Sequence, residues 1–579
     1  MEKLRVMDLF AGAGGLSNGF EQTGQFKIQI AVELDENAKK TYKTNHGSDV
    51  EMVSDITELH YRDNNNKLKK KFRNIDVIIG GPPCQGFSNA NRQKNTLISN
   101  NNQLVKNYLR AIEEVSPRAL VMENVSSMGS KKHKFYYCED DVLELENLGI
   151  IPETENVKIG DKTFLSEELI TLIVTSANKK ESLAPFLLDK NVFSKLNTVL
   201  KKSLKSDDLI NYFKNNRNSY YFQKLLLIWD SLVSACWSKT YEEEWRLVHY
   251  YISEIIFNKC NVYTKQLYKS LKVIIETQKV MNKVQEVYDN RILYEKLLFI
   301  NGDSLAIRLK TFSVLNYITK KLDFLGYKIN DDKYIFNAAR YGVPQNRKRL
   351  ILIGVRKDII KDKELALPIP LFNKEEDYFT IYDAIGDLED VPPEIEVVRS
   401  EKLKTSFPIN SSKLNQYLNG KELILYNHVR THTRDMALKR FKTLSQGQNF
   451  HDLDDSLKTT YTDHARTQNT VYKRLAYELP SDTVVNVRKS MWIHPIKDRA
   501  LSIREAARLQ SFRDNYIFKG NKDSQYQQVG NAVPPLLARV IAESILKSLG
   551  EEVSNTVNEL LGNNSNELDG EKITNTFSI

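Results

Sequence analysis

The sequence predicts an α/β protein with a doubly wound sheet, interrupted by an all-helical insertion and accompanied by a smaller mixed domain. Three observations predict it. Before residue 125, five short apolar runs each end in a glycine turn, a carboxylate or a thiol, as strands do in open sheets whose ligands bind beyond the strand carboxyl ends. Between Asp161 and Asn301 there is no glycine and a single proline, Pro185, while apolar residues recur three and four apart, the spacing of packed helices. The mixed strand and helix pattern then resumes, and an apolar helix follows GNAVPP.

Taken in order, Leu4 to Leu9 is the first run; it ends in FAGAGG, and the stretch through Phe20 has helical spacing. Ile28 to Val32 ends at Glu33, a weaker run near Met52 ends at Asp55, Ile75 to Ile79 ends in GGPPC, and Ala119 to Met122 ends at Glu123. A turn residue or a solvated charge explains any one of these endings, but five in succession point to one ligand-binding edge. In the insertion, Trp229, Trp237 and Trp245 lie eight apart and are read as one buried helix face rather than a platform for stacking bases. Residues 131 to 308 hold 26 Lys and Arg against 24 Asp and Glu, which argues against the insertion as the main nucleic-acid surface. TFSVLNYITKKLDFLGY reads as an amphipathic helix and Leu350 to Val355 as a sixth strand. After Lys357, turns, short strands and polar stretches mix as far as residue 520. His428 and His432 there have metal-like spacing without cysteines or a dense carboxylate cluster, so a solvated or DNA-facing reading is preferred and no metal site is expected. The expected boundaries are 1–128, 309–357 and 527–549 for the α/β domain, 129–308 for the insertion, 358–526 for the mixed domain and 550–579 for a polar, disordered tail.

Composition sets the outer limits. A chain of 579 residues allows three to five domains, and 27% charged with 41% hydrophobic residues is globular rather than disordered. Four cysteines scattered at 84, 138, 236 and 260 encode neither a disulfide framework nor a zinc ribbon. No apolar run approaches 18 residues, so a soluble, cytoplasmic protein with no membrane contact is expected. The net charge of +9 permits a polyanionic partner without requiring one.

The strand endings carry the chemistry. Gly12 and Gly14 let backbone approach a ligand, Glu33 is placed to accept from ribose hydroxyls, and Asp55 can accept from an adenine amino group while Ile56 packs on the ring. Together they describe an adenosyl pocket. A nicotinamide enzyme would want a third glycine where this chain has Ser17. Cys84, in GGPPCQGFS, follows a buried strand and two prolines, a setting that lowers a thiol pKa and makes the thiolate a nucleophile. Cys138, Cys236 and Cys260 are read as inert.

At this point DLFAGAGG, GGPPCQGFS, MENV, QNRKR, RALSIREAARLQSF and QVGNAVPP stand in one order, and the chain resembles the C5-cytosine-specific DNA methyltransferases of bacterial or phage restriction-modification systems. The resemblance implies a Rossmann-like domain that binds S-adenosylmethionine through Phe10, Gly12, Gly14, Glu33, Asp55, Ile56, Pro83 and Asn531, with a smaller target-recognition domain. It implies that Cys84 adds to C6 of a cytosine flipped out of double-stranded DNA. Glu123, kept protonated or proton-sharing by burial, would bond N3. In QNRKR, Gln345, Arg347 and Arg349 would share a strand face, Arg347 holding the cytosine O2 or a phosphate and Arg349 orienting Glu123. The loop after Cys84, with Arg92 and Lys94, is expected to move during flipping. A monomer and a cognate restriction endonuclease are further expectations. The rivals are a tRNA cytosine-5 methyltransferase, against which the long segment after QNRKR argues, and a non-enzymatic DNA-binding protein, against which the retained Cys84 and Glu123 argue. The insertion departs from the family pattern, and a buttress or a partner-docking role is favoured for it over DNA contact.

Overall fold

The computed structural model describes residues 2–83, 101–130, 133–232, 239–258, 263–300, 302–330, 334–360, 364–397, 403–404, 412–420, 424–459 and 467–562. The chain divides into two compact units, one of residues 1–84, 103–130 and 321–579, the other of residues 85–102 and 131–320. In chain order the strands that matter are β1 (Leu4–Leu9), β2 (Phe26–Val32), β3 (Glu51–Val53), β4 (Val77–Gly80), β5 (Ala119–Val125), β6 (Lys134–Tyr136), β7 (Glu153–Asp161), β8 (Tyr294–Ile300), β9 (Ser304–Ser313), β10 (Tyr327–Ile329), β11 (Ile335–Asn337) and β12 (Lys348–Arg356).

The first unit is built on an eight-stranded sheet of order β10-β12-β5-β4-β1-β2-β3, with β11 added beside β12. β1 to β5 pair in parallel and β12 runs antiparallel to β5. Val77, Ile78 and Ile79 of β4 and Leu120, Val121 and Met122 of β5 have no exposed surface, the continuous burial of strands covered on both faces. That is the doubly wound architecture the apolar runs predict. β5 continues past Met122 through Glu123 and Asn124, because its ladder with β12 carries on, Glu123 opposite Ile351 and Val125 opposite Arg349. Polar residues at a strand end hide such an extension from periodicity.

The helix Gly15–Glu21 packs tightly on the closing helix Pro535–Leu549, where a Cβ on Gly19 would lie 2.4 Å from the Cβ of Ala538. The stretch Lys522–Leu549 is long and apolar enough to cross a membrane, yet 89% of its most apolar window is buried inside protein, as befits core helices. Beyond it the expected tail begins with structure instead of disorder. Thr556 and Glu559 cap a helix Val557–Leu561, Val557 and Leu561 are buried in the main core, and the Val557 amide donates to Glu543 (2.9 Å). Two apolar anchors decide this against the polar composition around them. Residues 563–579 lie outside the described residues.

Among its described residues, the stretch 358–526 has no single core of its own. Ile381, Ala384, Leu414, Trp492, Leu501 and Phe512 belong to the same apolar cluster as the sheet, while Ala437, Phe441, Leu444, Phe450, Leu453, Tyr472, Ile493 and Ala500 form a small separate one.

The second unit corrects the all-helical expectation. β6, β9 and β7 form an antiparallel sheet, with β8 also on β9. These strands lie at the margins of the glycine-free stretch, where Gly160 and Gly302 stand, and antiparallel strands need turns only at their ends. TFS, read as the start of an amphipathic helix, is the end of β9; the helix itself is Val314–Phe324. Helices fill the interior, but the tryptophans do not share one helix face. Trp229 sits in a 3₁₀ turn (Trp229–Leu232) and Trp245 in the helix Lys239–Phe257. Their rings stack 4.1 Å apart at 20°, and each indole N–H donates to the other's carbonyl (3.1 and 3.3 Å). Trp237 lies outside the described residues, as do Cys236 and Cys260.

Candidate active site

The described residues that the sequence marks as a candidate site in the first unit gather at the carboxyl edge of its parallel strands. β1 gives way to Phe10, whose φ of +62° is a conformation that bulky residues avoid. Gly12, at φ +56°, has nothing within 4 Å of where a Cβ would sit; its N–H donates to Glu33 Oε2 (2.8 Å). The Asp35 amide donates to Glu33 Oε1 (2.7 Å), so two backbone groups aim this carboxylate. Gly14 has no such freedom. A Cβ there would lie 2.2 Å from His46 Nε2 and 2.8 Å from the Tyr516 hydroxyl.

Glu33 and Asp55 end neighbouring strands, the Glu33 amide donating to the Val53 carbonyl (3.0 Å). Asp55 Oδ1 accepts from the amide and hydroxyl of Thr57 (both 2.9 Å), capping a short turn in which Ile56 is buried. Asn531 is exposed, and its Oδ1 accepts from Gln527 Nε2 (2.8 Å). Two residues on, the Val533 carbonyl lies 2.2 Å from the Cβ position of Gly15, so GNAVPP lies directly against the glycine turn.

Cys84 and the loop through Arg92 and Lys94 lie outside the described residues. The turn that leads to Cys84 is described. Asn124 Nδ2 donates to the Pro82 carbonyl (2.9 Å), Pro83 is half-buried, and a Cβ on Gly81 would lie 3.1 Å from Glu123 Oε2. On the other side of Glu123, Arg349 Nε meets Oε1 at 3.0 Å, with both side chains only 14–15% exposed. Burial pulls the Arg349 pKa down and the Glu123 charge opposes that pull.

Arg347 is 2% exposed. Its guanidinium donates to the carbonyls of Val484 (3.1 Å), Gly530 (3.3 Å) and Ala532 (3.0 Å), and among the described residues its buried Nε has no partner. Burial, then the neighbouring Arg349, holds its pKa well below the usual arginine value. Gln345 Nε2 donates to the Leu509 carbonyl (3.0 Å) and to Gln510 Oε1 (2.9 Å), and its Oε1 accepts from the Val484 amide (2.7 Å). Gln345 and Arg347 thus staple QNRKR to the RLQSF and GNAV segments, whereas Arg349 alone reaches Glu123. Within RALSIREAARLQSF, Arg508 pairs with Asp387 (2.5 Å) and Asp514 (2.6 Å), all three side chains essentially inaccessible.

A buried polar set under the glycine turn escaped the motif reading. Asp8 is 1% exposed and accepts from the hydroxyls of Ser17 (2.6 Å) and Tyr42 (3.1 Å); burial pushes its carboxyl up to about 7. Tyr516 donates to the Ala13 carbonyl. The signal for Asp8 was its position inside DLFAGAGG, a carboxylate in an otherwise apolar run. His428 is likewise buried and not solvent-facing: its Nε2 lies 3.0 Å from the Val391 carbonyl, and burial lowers its pKa. His432 is exposed.

The family model described as C-5 cytosine-specific DNA methylase matches residues 4–151 and 304–547. The chain belongs to that family. The methylase is 25% identical over 545 residues to the Type II methyltransferase M1.HphI of Haemophilus parahaemolyticus, covering 94% of this chain and 87% of that one. It is 24% identical over 557 residues to the Type II methyltransferase M.DdeI of Desulfomicrobium norvegicum, covering 94% and 88%. Among solved structures it aligns with a DNA modification methyltransferase encoded within an E. coli prophage at a TM-score of 0.49 and 19% identity, over 95% of this chain and 100% of that chain. Family membership makes the protein a DNA cytosine-5 methyltransferase that requires a methyl donor, and the residues 152–303 left outside the family model fall within the second unit.

Proposed function

We propose that the methylase transfers a methyl group from S-adenosylmethionine to C5 of a cytosine flipped out of a specific duplex sequence. The observation that carries this reading is the Arg349–Glu123 pair set against the Gly81–Pro83 turn that leads to Cys84. The edge of the sheet suits the donor. Gly12 faces open space and Glu33 is aimed by two amides, while Phe10, Gly14, Asp55, Ile56, Pro83 and Asn531 complete the surround. S-adenosylmethionine bound there supplies an electrophilic methyl group.

Cytosine C5 is a poor nucleophile until the ring loses its aromaticity. The Cys84 thiolate adds to C6, and the displaced electron pair moves onto N3 and O2, where Glu123 bonds N3 and stabilises the charge. C5 then accepts the methyl group; loss of the C5 proton to a base breaks the C6–S bond and returns the thiolate. Arg349 orients Glu123, and Arg347 reaches the cytosine O2 or a phosphate only if its guanidinium leaves the carbonyls of Val484, Gly530 and Ala532 that hold it here. The relatives named as Type II methyltransferases support a place in a restriction-modification system; a cytoplasmic, monomeric enzyme that protects host DNA from a cognate endonuclease is part of the same proposal.

Incubation with duplex DNA and methyl-labelled S-adenosylmethionine tests the reading. Label should enter cytosine in DNA, and Cys84→Ala should abolish transfer while leaving DNA binding within a few fold. Label on RNA alone, or on nothing, would overturn it.

A further inference from the structure

The balanced charge of the insertion conceals a segregation. Residues 131–189 hold seven Lys and Arg against twelve Asp and Glu, whereas residues 190–228 hold eight against two. The positive segment is three consecutive helices, Lys190–Lys202, Ser206–Lys214 and Asn216–Leu227. Its two acids, Asp207 and Asp208, lie in the first turn of the middle helix, where they complement the helix dipole. Asp189, at the near edge, is engaged as the cap of the first helix, accepting from the amides of Asn191 and Val192.

One contact links the outer two helices. Lys195 Nζ lies 5.3 Å from the centre of the Tyr221 ring, which joins the Lys195 flank of the first helix to the Tyr221 flank of the third. Lys202 is two turns from Lys195 on the same flank, and Arg217 and Lys224 stand one turn before and after Tyr221. Lys224 Nζ lies 4.5 Å from the ring of Tyr220, itself 60% exposed. Among the described residues, none of Lys195, Lys202, Arg217 and Lys224 makes an ion pair. By contrast Lys158, Lys180, Arg291 and Arg308 in the same unit are each paired with a carboxylate.

We infer that this face, formed by Lys195, Lys202, Arg217 and Lys224 with Tyr220 and Tyr221, binds the phosphate backbone of double-stranded DNA. Each row of cations spans about 10 Å of helix, and that length of duplex presents about six phosphate charges. Cations held over tyrosine rings lose less freedom when a phosphate docks than free lysines would. The contact is independent of sequence: it adds affinity and leaves the choice of cytosine to the first unit.

The inference rests on the protein acting on DNA, so the test measures methyl transfer and binding together. Fluorescence-anisotropy titrations of a long duplex over a salt series are compared for the full-length protein, the variant K195Q/K202Q/R217Q/K224Q, and the control K158Q/K180Q/R291Q/R308Q of equal net charge. The first variant should lower the salt-dependence slope by about 3 to 4 and weaken binding by roughly 100-fold at low salt, with an unchanged circular dichroism spectrum and an unchanged methylated sequence. The control should behave as the native protein. A slope within one unit of native, an equal change in the control, or loss of a co-purifying protein with DNA binding intact would each overturn the inference. Absence of methyl transfer by the native protein would instead overturn the enzymatic reading.

Discussion

The carboxyl edge of the large sheet and the helical core of the insertion both bury polar groups, and they do so differently. In the insertion, Gln278 accepts from the Leu188 amide (2.9 Å) and donates to the Phe186 carbonyl (2.9 Å) and the Tyr241 hydroxyl (3.0 Å). The two stacked tryptophans satisfy each other's backbone. At the sheet edge, Arg347 keeps a buried donor without a partner among the described residues, Phe10 holds a left-handed conformation, and burial together with the charges of Glu33 and Glu21 disfavours ionisation of Asp8. Among its described residues the insertion has unmatched buried atoms of its own, Tyr212 Oη and Glu244 Oε2, so the difference lies in the backbone strain of Phe10 and the raised pKa of Asp8, which stand together at the glycine turn.

Four experiments would break or sharpen that contrast, in descending order of effect. Glu123→Gln keeps the shape of the site and removes the acid; methyl transfer should fall about 100- to 10,000-fold at a temperature where circular dichroism shows the variant folded, and a retained rate would remove Glu123 from the chemistry. In the insertion the cost should appear in stability instead: Trp245→Ala should lose about 3–5 kcal/mol by denaturant titration, and a loss below 1 kcal/mol would show that the tryptophan stack is not a core element.

Asp8 gives a pH signature. Its carboxyl is pushed up to about 7 by burial, so the folded state binds a proton that the unfolded chain has released between the ordinary carboxylate pKa and that value. Stability is therefore fully present below the ordinary value and declines as pH rises through about 7, by at most about 1.4 kcal/mol per pH unit. Asp8→Asn should flatten the decline in melts taken between pH 5 and 8; an identical slope in the variant would assign the pH dependence elsewhere.

The smallest effect separates two glycines of one turn. Gly15→Ala meets the Val533 carbonyl and should cost about 1–3 kcal/mol of stability. Gly12→Ala enters open space and should cost only about 1–2 kcal/mol through its positive φ, its larger consequence being a raised KM for the methyl donor. Equal KM values for the two variants would argue against a donor beside Gly12.

Much of the site was legible because its motifs act locally. A glycine turn after β1, carboxylates after β2, β3 and within β5, and two prolines before Cys84 restrict backbone within a few residues, and such restrictions leave their mark in the order of residue types. The insertion left a weaker mark. Freedom from glycine reported its helices correctly but hid β8 and gave no sign of β7 and β9, which flank that stretch, and an eight-residue spacing placed Trp229 and Trp245 on one face when Trp229 sits in a 3₁₀ turn and Trp245 in a helix. His428 looked like a surface residue because its burial depends on Val391 and Ser502, neither of which is its neighbour in sequence.

By itself the sequence determined the fold class, the order of the motifs and the family that those motifs mark, since each of these rests on short-range backbone constraints. Only the tertiary structure decided that β12 runs antiparallel to β5 and brings Arg349 to Glu123, that Arg347 is buried among carbonyls, that Asp8 lies beneath the turn with Ser17 and Tyr42, and that the chain beyond residue 550 returns to the core through Val557 and Leu561. Those outcomes depend on which distant segments bury surface together, and that balance is settled over the whole chain at once rather than within any one segment.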